Sequence, residues 1–175
     1  MPDDGHVSPR RVVVAGASGL IGGALVDSLR ADGVHVTTLV RHDPTGPDEV
    51  TWLTGSEPLD PAVLSGADAV VALNGASVGR FPWTRRYKST LLWSRMTPTR
   101  TLAAALRALG ASAPAFVSAS AVGYYGSAPG VHLTETSPRG ETFLADLCGE
   151  WESAAFSAGP HARVAVLRTA PVVHR

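Results

Sequence analysis

Gly16, Gly19 and Gly22 recur every third residue in the run Gly16-Ala-Ser-Gly-Leu-Ile-Gly22. Residues of this type at this spacing suit the holding of phosphate. A glycine at 16 lets the chain turn sharply, one at 19 removes the side chain that would block a pyrophosphate, and one at 22 lets a helix pack closely on the preceding strand. A second chemical signal is Val40-Arg41-His42-Asp43. An acidic residue at such a strand tip accepts hydrogen bonds from the adenosine ribose of NAD, whereas Arg41 favours the additional 2′-phosphate of NADP. Asp43 stands two residues on and can turn inward, so NADP is the expected cofactor and NAD the alternative.

These residues need elements to position them. Val12-Val13-Val14-Ala15 is a continuous apolar run, as in a parallel strand buried on both faces. Leu20, Ala24, Leu25, Ser28 and Leu29 follow at helical spacing, and Gly33 can stop that helix before Val34-His35-Val36-Thr37-Thr38-Leu39-Val40. Further strands are expected over 49–53, 69–74, 115–119 and 163–168. Helices are expected over 20–31, 83–109 and 142–158, with a short turn near 61–64. Such alternation predicts an α/β, Rossmann-like, doubly wound parallel sheet of about six strands with helices on both faces. Its ligand would sit at the carboxyl ends of the strands. The expected organisation is a mobile lead-in over 1–10 and one domain over 11–175.

Composition narrows the function classes. A length of 175 residues, 45% hydrophobic and 17% charged, suits one compact domain with a substantial core. No apolar run approaches the roughly 20 residues of a membrane span, and residues 1–10 lack the apolar core of a signal peptide, so a cytoplasmic protein without membrane contact is expected. Cys148 is the sole cysteine, which excludes an internal disulfide and a cysteine-based zinc site; no metal is expected. Net charge is zero. Yet Ala69 to Thr134 contains no acidic residue while holding Arg80, Arg85, Arg86, Lys88, Arg95, Arg100 and Arg107. The resulting positive field suits cofactor phosphates or an anionic small-molecule substrate, and the balanced total argues against nucleic acid.

Taken in order, Gly16-Ala-Ser-Gly-Leu-Ile-Gly22, Asp68-Ala-Val-Val-Ala-Leu-Asn-Gly75, Trp83-Thr-Arg-Arg-Tyr-Lys88 with Ser94-Arg95, and Ser118-Ala-Ser-Ala-Val-Gly-Tyr-Tyr-Gly126 resemble the extended short-chain dehydrogenases. Within them, Phe143-Leu-Ala-Asp-Leu-Cys-Gly-Glu-Trp-Glu152 is similar to the helix of the atypical, epimerase/dehydratase-like subgroup of epimerase family proteins. The resemblance covers about residues 11 to 170. It implies that Gly16, Ser18, Gly19, Leu20, Ile21 and Gly22 surround the pyrophosphate and that Arg41 meets the 2′-phosphate. It places Leu73, Asn74 and Gly75 beneath the adenosine ribose side, with Arg95 reaching in from the long helix. Ser120 matches a serine that hydrogen-bonds the reacting oxygen, and Tyr124 or Tyr125 would be the local proton donor.

The superfamily's usual acid/base is a tyrosine with a lysine four residues later, which lowers the phenol's pKa and holds the nicotinamide ribose. Lys88 is the only lysine, and Thr84 stands four residues before it. With Glu152 aligned to the acidic residue common on the equivalent helix, the pair's two positions hold Leu144 and Cys148. The narrower subgroup also tends to lack the pair. Extended members continue into a smaller substrate-binding domain, whereas this sequence stops at Thr169-Ala-Pro-Val-Val-His-Arg175. The expectation is therefore an NADP-binding epimerase- or reductase-like protein without its C-terminal domain, weakly active or inactive in this form. The rival is a non-catalytic dinucleotide-binding or sensing module. Opposite charges on the 83–109 and 142–158 helices also suggest a homodimer.

Overall fold

The computed structural model describes residues 10–172. The lead-in expected over 1–10 lies, except for Arg10, outside them. Six parallel strands form a single sheet in the order β3-β2-β1-β4-β5-β6. The strands are β1 (Arg11–Ala15), β2 (His35–Val40), β3 (Glu49–Thr51), β4 (Ala69–Ala72), β5 (Ala115–Ala121) and β6 (Val164–Thr169). Three helices join them: α1 (Leu20–Ala31), α2 (Arg85–Leu109) and α3 (Phe143–Phe156). Short 3-10 turns cover Pro61–Val63, Gly110–Ser112 and Val122–Tyr125.

The period-two side-chain pattern of the strands divides the core into layers. Val13, Ala15, Val70, Ala72 and Phe116 pack with Leu102, Leu106 and Ala155 of α2 and α3. Val14, Val36 and Val71 turn the other way, towards Val26, Leu25 and Leu29 of α1. Burying each valine or leucine contributes about 1.5 to 3 kcal/mol, which is what holds the helices to the sheet. A third cluster joins Leu91 and Met96 of α2 to Leu147, Cys148, Trp151 and Ala154 of α3.

Helix starts follow local chemistry. The Thr84 hydroxyl accepts the Tyr87 N–H at 3.1 Å and begins α2, so Trp83 lies outside the helix expected to include it. Thr142 caps α3 by accepting from Ala145 N–H at 3.2 Å. Strand β3 stops at Thr51 rather than 53, where Leu53 adopts a left-handed φ of 55°. Among the described residues no helix is long and apolar enough to cross a membrane.

The sheet reverses its order between β1 and β4, whose connections leave on opposite faces. That reversal opens a cleft at the carboxyl ends of the strands. The segments following β1, β2, β4 and β5 all emerge along this edge.

Candidate functional site

The turn after β1 depends on missing side chains. Gly16 has φ 91°, and a Cβ there would stand 2.8 Å from the Leu73 carbonyl carbon. A Cβ at Gly22 would overlap the Gly16 carbonyl oxygen, so that glycine lets α1 approach the strand. Gly19 differs: its nearest neighbour would be the Gly16 oxygen at 3.4 Å, an ordinary contact, and the residue is exposed. Packing within the protein therefore does not require a glycine at 19. The missing side chain leaves open space on the outer side of the turn.

Gly19 is also the N-cap of α1, and no side chain caps the helix. No acidic residue stands in its first turn, while Ser18, Leu20 and Ile21 are exposed around it. The N–H groups of the first turn lack intrahelical partners, and the helix dipole adds partial positive charge, a combination suited to an anion. Arg41 extends from the end of β2, exposed and without an ion pair among the described residues. Asn74 follows β4 with its Oδ1 buried and unpartnered. A buried amide oxygen left without a donor costs on the order of 1 to 3 kcal/mol, and a ligand hydroxyl arriving in the cleft would supply the donor. The glycine cradle, the uncapped helix and this oxygen together fit a dinucleotide.

Beyond Asn74, Gly75 is shaped by Arg95: a Cβ would lie 2.9 Å from the guanidinium carbon. Arg95 Nη1 donates to the Leu91 carbonyl at 2.8 Å and Nη2 to the Ala76 carbonyl at 3.0 Å, both fixed points on α2 and the loop before it. Burial pulls its pKa down from the ordinary arginine value.

At the end of β5 the geometry departs from the expected roles. Ser120 is 2% exposed and faces α3, where its hydroxyl donates to Glu152 Oε1 at 2.6 Å. In this arrangement its hydrogen is not available to a substrate oxygen. Glu152 is held on its other side by Arg168 of β6, through Nε and Nη2, each at 2.8 Å. Burial pushes the Glu152 carboxyl up, but hydrogen bonds from Arg168 and Ser120 outweigh it and hold the pKa below the ordinary value. Arg168 Nη1 also donates to the Tyr125 phenol oxygen at 2.9 Å, and its guanidinium carbon lies 3.5 Å from the Tyr124 ring centroid. The two tyrosine rings meet edge to face, 5.3 Å apart. Tyr124 is thus a platform for Arg168. Tyr125 accepts from a cation and keeps its own hydrogen to give.

Sequence reasoning brought the glycine turn, Arg41 and the 73–75 segment to one edge, and it missed Arg168 and the role of Glu152. A signal existed for both. Glu152 falls on the inward face of α3, four residues after buried Cys148, and Arg168 shares the inward parity of Val164 and Val166 on β6. Leu144 and Cys148 lie under the turn after β5, where a Cβ at Gly123 would meet Leu144 Cβ at 3.2 Å and Cys148 Sγ at 3.9 Å.

Comparison with known proteins decides the family. Residues 12–173 match the model of the NAD dependent epimerase/dehydratase family. The chain belongs to that family. It is 40% identical over 163 residues to the epimerase family protein Mb2239 of Mycobacterium bovis, covering 93% of this chain and 54% of that protein. The human epimerase family protein SDR39U1 is 33% identical over 168 residues, covering 94% of this chain and 55% of its own length. The crystal structure of human SDR39U1 (isoform2) with NADPH superposes with a TM-score of 0.76 over 90% of this chain and 52% of that one, at 33% identity. A nucleoside-diphosphate sugar epimerase from Corynebacterium glutamicum gives a TM-score of 0.73 at 37% identity, over 92% of this chain and 34% of that one. The chain spans about half the length of the curated relatives it matches.

Proposed function

We propose that residues 11–169 form the NADP(H)-binding half of an epimerase- or reductase-like protein acting on a small anionic molecule. The observation that carries this reading is the uncapped start of α1 behind a turn in which Gly19 is open to the outside. The presence of NADPH in the human relative's structure supports it. When bound, the cofactor supplies or accepts a hydride at its nicotinamide.

The chain's own residues do the rest. The N–H groups of Leu20, Ile21 and Gly22 face the pyrophosphate, Ser18 lies beside it, and Arg41 meets the 2′-phosphate with a charged hydrogen bond. Leu73, Asn74 and Gly75 run beneath the adenosine ribose, where Asn74 Oδ1 gains the donor it lacks. Tyr125 is the proton donor, held by Arg168 at its oxygen. An open cavity of about 530 Å³ at the start of α2, lined by Arg80, Arg86 and Tyr87 among others, suits the anionic part of a substrate.

One observation favours a second reading, a dinucleotide-sensing module without turnover: Leu144 and Cys148 occupy the face of α3 next to the β5 turn, and neither side chain relays a proton as a tyrosine and lysine would. Thermal unfolding with NADPH, with NADH and without ligand tests the common part. A ligand at 100 times its dissociation constant adds about 2.7 kcal/mol of apparent stability. No stabilisation by either nucleotide overturns both readings. Stabilisation followed by nicotinamide oxidation with a panel of carbonyl compounds selects the first, and stabilisation without turnover selects the second.

A further inference from the structure

Phe81, in the loop before α2, is 74% exposed, more than any other large apolar side chain among the described residues. It is nevertheless held flat. Its ring stacks on that of Trp83, with centroids 5.2 Å apart and planes 5° from parallel. Trp83 is fixed in turn: its indole N–H donates to the Val78 carbonyl at 3.1 Å, and its ring meets Phe143 of α3 edge on at 6.1 Å. Phe81 lines the cavity of about 530 Å³ at the start of α2, and Trp83 does not. The indole therefore backs the phenyl ring, whose other face is left to the cavity and to solvent.

Two cations stand beside that ring. Arg80 and Arg86 line the same cavity, no acidic side chain does, and neither arginine belongs to an ion pair among the described residues. The Arg80 guanidinium carbon lies 5.6 Å from the Tyr87 ring centroid, and the Tyr87 hydroxyl donates to the Ser77 carbonyl at 2.6 Å, so the chain itself sets this wall too. A guanidinium fork suits the paired oxygens of a carboxylate or phosphate, and an open π-face suits another planar ring. Arg80 and Phe81 are neighbours in the chain, so a single molecule meets both demands when its anion is attached to its ring. The place fits a substrate, because Leu144, which follows Phe143, lies under Gly123 of the turn that carries Tyr125. We propose that the cavity at the start of α2 takes a planar aromatic acid, an aryl carboxylate or aryl phosphate, with its ring on Phe81 and its anion between Arg80 and Arg86. This rests on reading the cavity as the seat of an anionic substrate and names the class to which that substrate belongs.

Calorimetric titration of the whole chain, with and without NADPH, tests it with compounds that differ in one property at a time. 2-Naphthoate and 2-naphthyl phosphate carry ring and anion, decahydro-2-naphthoate keeps the anion without the flat ring, 2-naphthol at neutral pH keeps the ring without the anion, and uridine 5′-diphosphate sets a sugar between the two. Both naphthyl anions are expected to bind about tenfold or more tightly than the other three, and the better of them tells carboxylate from phosphate. Phe81→Leu keeps apolar bulk and is expected to bring 2-naphthoate down to its saturated analogue. Arg86→Gln is expected to weaken both naphthyl anions about tenfold and to leave 2-naphthol unchanged. Both side chains are exposed, and the wild-type series decides the matter should either variant fail to fold. Equal binding of 2-naphthoate and its saturated analogue, or a preference for uridine 5′-diphosphate, overturns the aromatic-acid class and leaves the anionic reading intact. Binding of 2-naphthol as tight as that of 2-naphthoate overturns the anionic reading and the proposal with it. Failure of every compound to bind overturns both, while the titration of NADPH itself reports separately on the cofactor.

Discussion

Gly19 and Gly22 are the same residue with opposite duties, and substitution separates them. Gly22→Ala puts a methyl into the Gly16 carbonyl and should destabilise the fold by about 3 kcal/mol in urea unfolding, because backbone must move. Gly19→Val meets only an ordinary contact; it should cost about 1 kcal/mol of stability yet abolish NADPH binding measured by calorimetric titration. At Arg41, alanine should erase most of a preference for NADPH over NADH, on the order of 1.5 to 3 kcal/mol, and equal wild-type affinities would remove the basis for that role. The Glu152 carboxyl gives a pH signature. Its folded-state pKa lies below the ordinary value of 4.5, so its contribution to stability is complete above that pH and is lost as pH falls through the folded value. Glu152→Gln should cost on the order of 3 kcal/mol at neutral pH by leaving Arg168 unpaired, and should flatten this acid limb. An unaltered acid limb in the variant would assign the loss to another carboxylate.

At the scale of elements, much was readable because punctuation and period agreed. The apolar run 12–15, the glycine turn and the helical repeat after it mark β1 and α1 without ambiguity, and both appear with the expected bounds. The errors sit at ends, where a letter has two meanings. Thr142 was expected inside α3 but caps it, and β5 runs on to Ala121 because β6 pairs with it as far as Thr169. Capping is itself checkable: Thr142→Ala should cost about 1 kcal/mol in urea unfolding, and no loss would mean that packing alone sets the start of α3. The glycine turn after β1 was legible because glycine encodes such backbone geometry locally. The Ser120–Glu152–Arg168–Tyr125 network was not, because it joins β5, α3, β6 and the turn at 122–125, and only the packed sheet brings them together. Arg95 falls between: its presence was visible, its neighbours were not.

Over the whole molecule, charge is segregated between helices that lie side by side in one chain. Arg95 and Glu152 point inward. Arg85, Arg86 and Arg100 of α2 and Asp146 and Glu150 of α3 remain outside, along with Trp93 and Phe156, 51% and 54% exposed. Pairing of α2 of one copy with α3 of another would bring unlike charges together, and we propose on that ground a homodimer weakened by salt. Light scattering at tens of micromolar and low ionic strength checks it, and a monomer there would sink the idea. The order of the sheet has a consequence for how the chain is made. Of the six strands, β1 leaves the ribosome before the others and ends in the middle, between β2 and β4. Val12 must wait for Ala69, its partner on the β4 side. At a synthesis rate of roughly 5 to 20 residues per second, that side of β1 stays open for about 3 to 11 s. During that interval the nascent chain offers a sticky edge, and chaperone capture would compete with folding there more than anywhere else along its length.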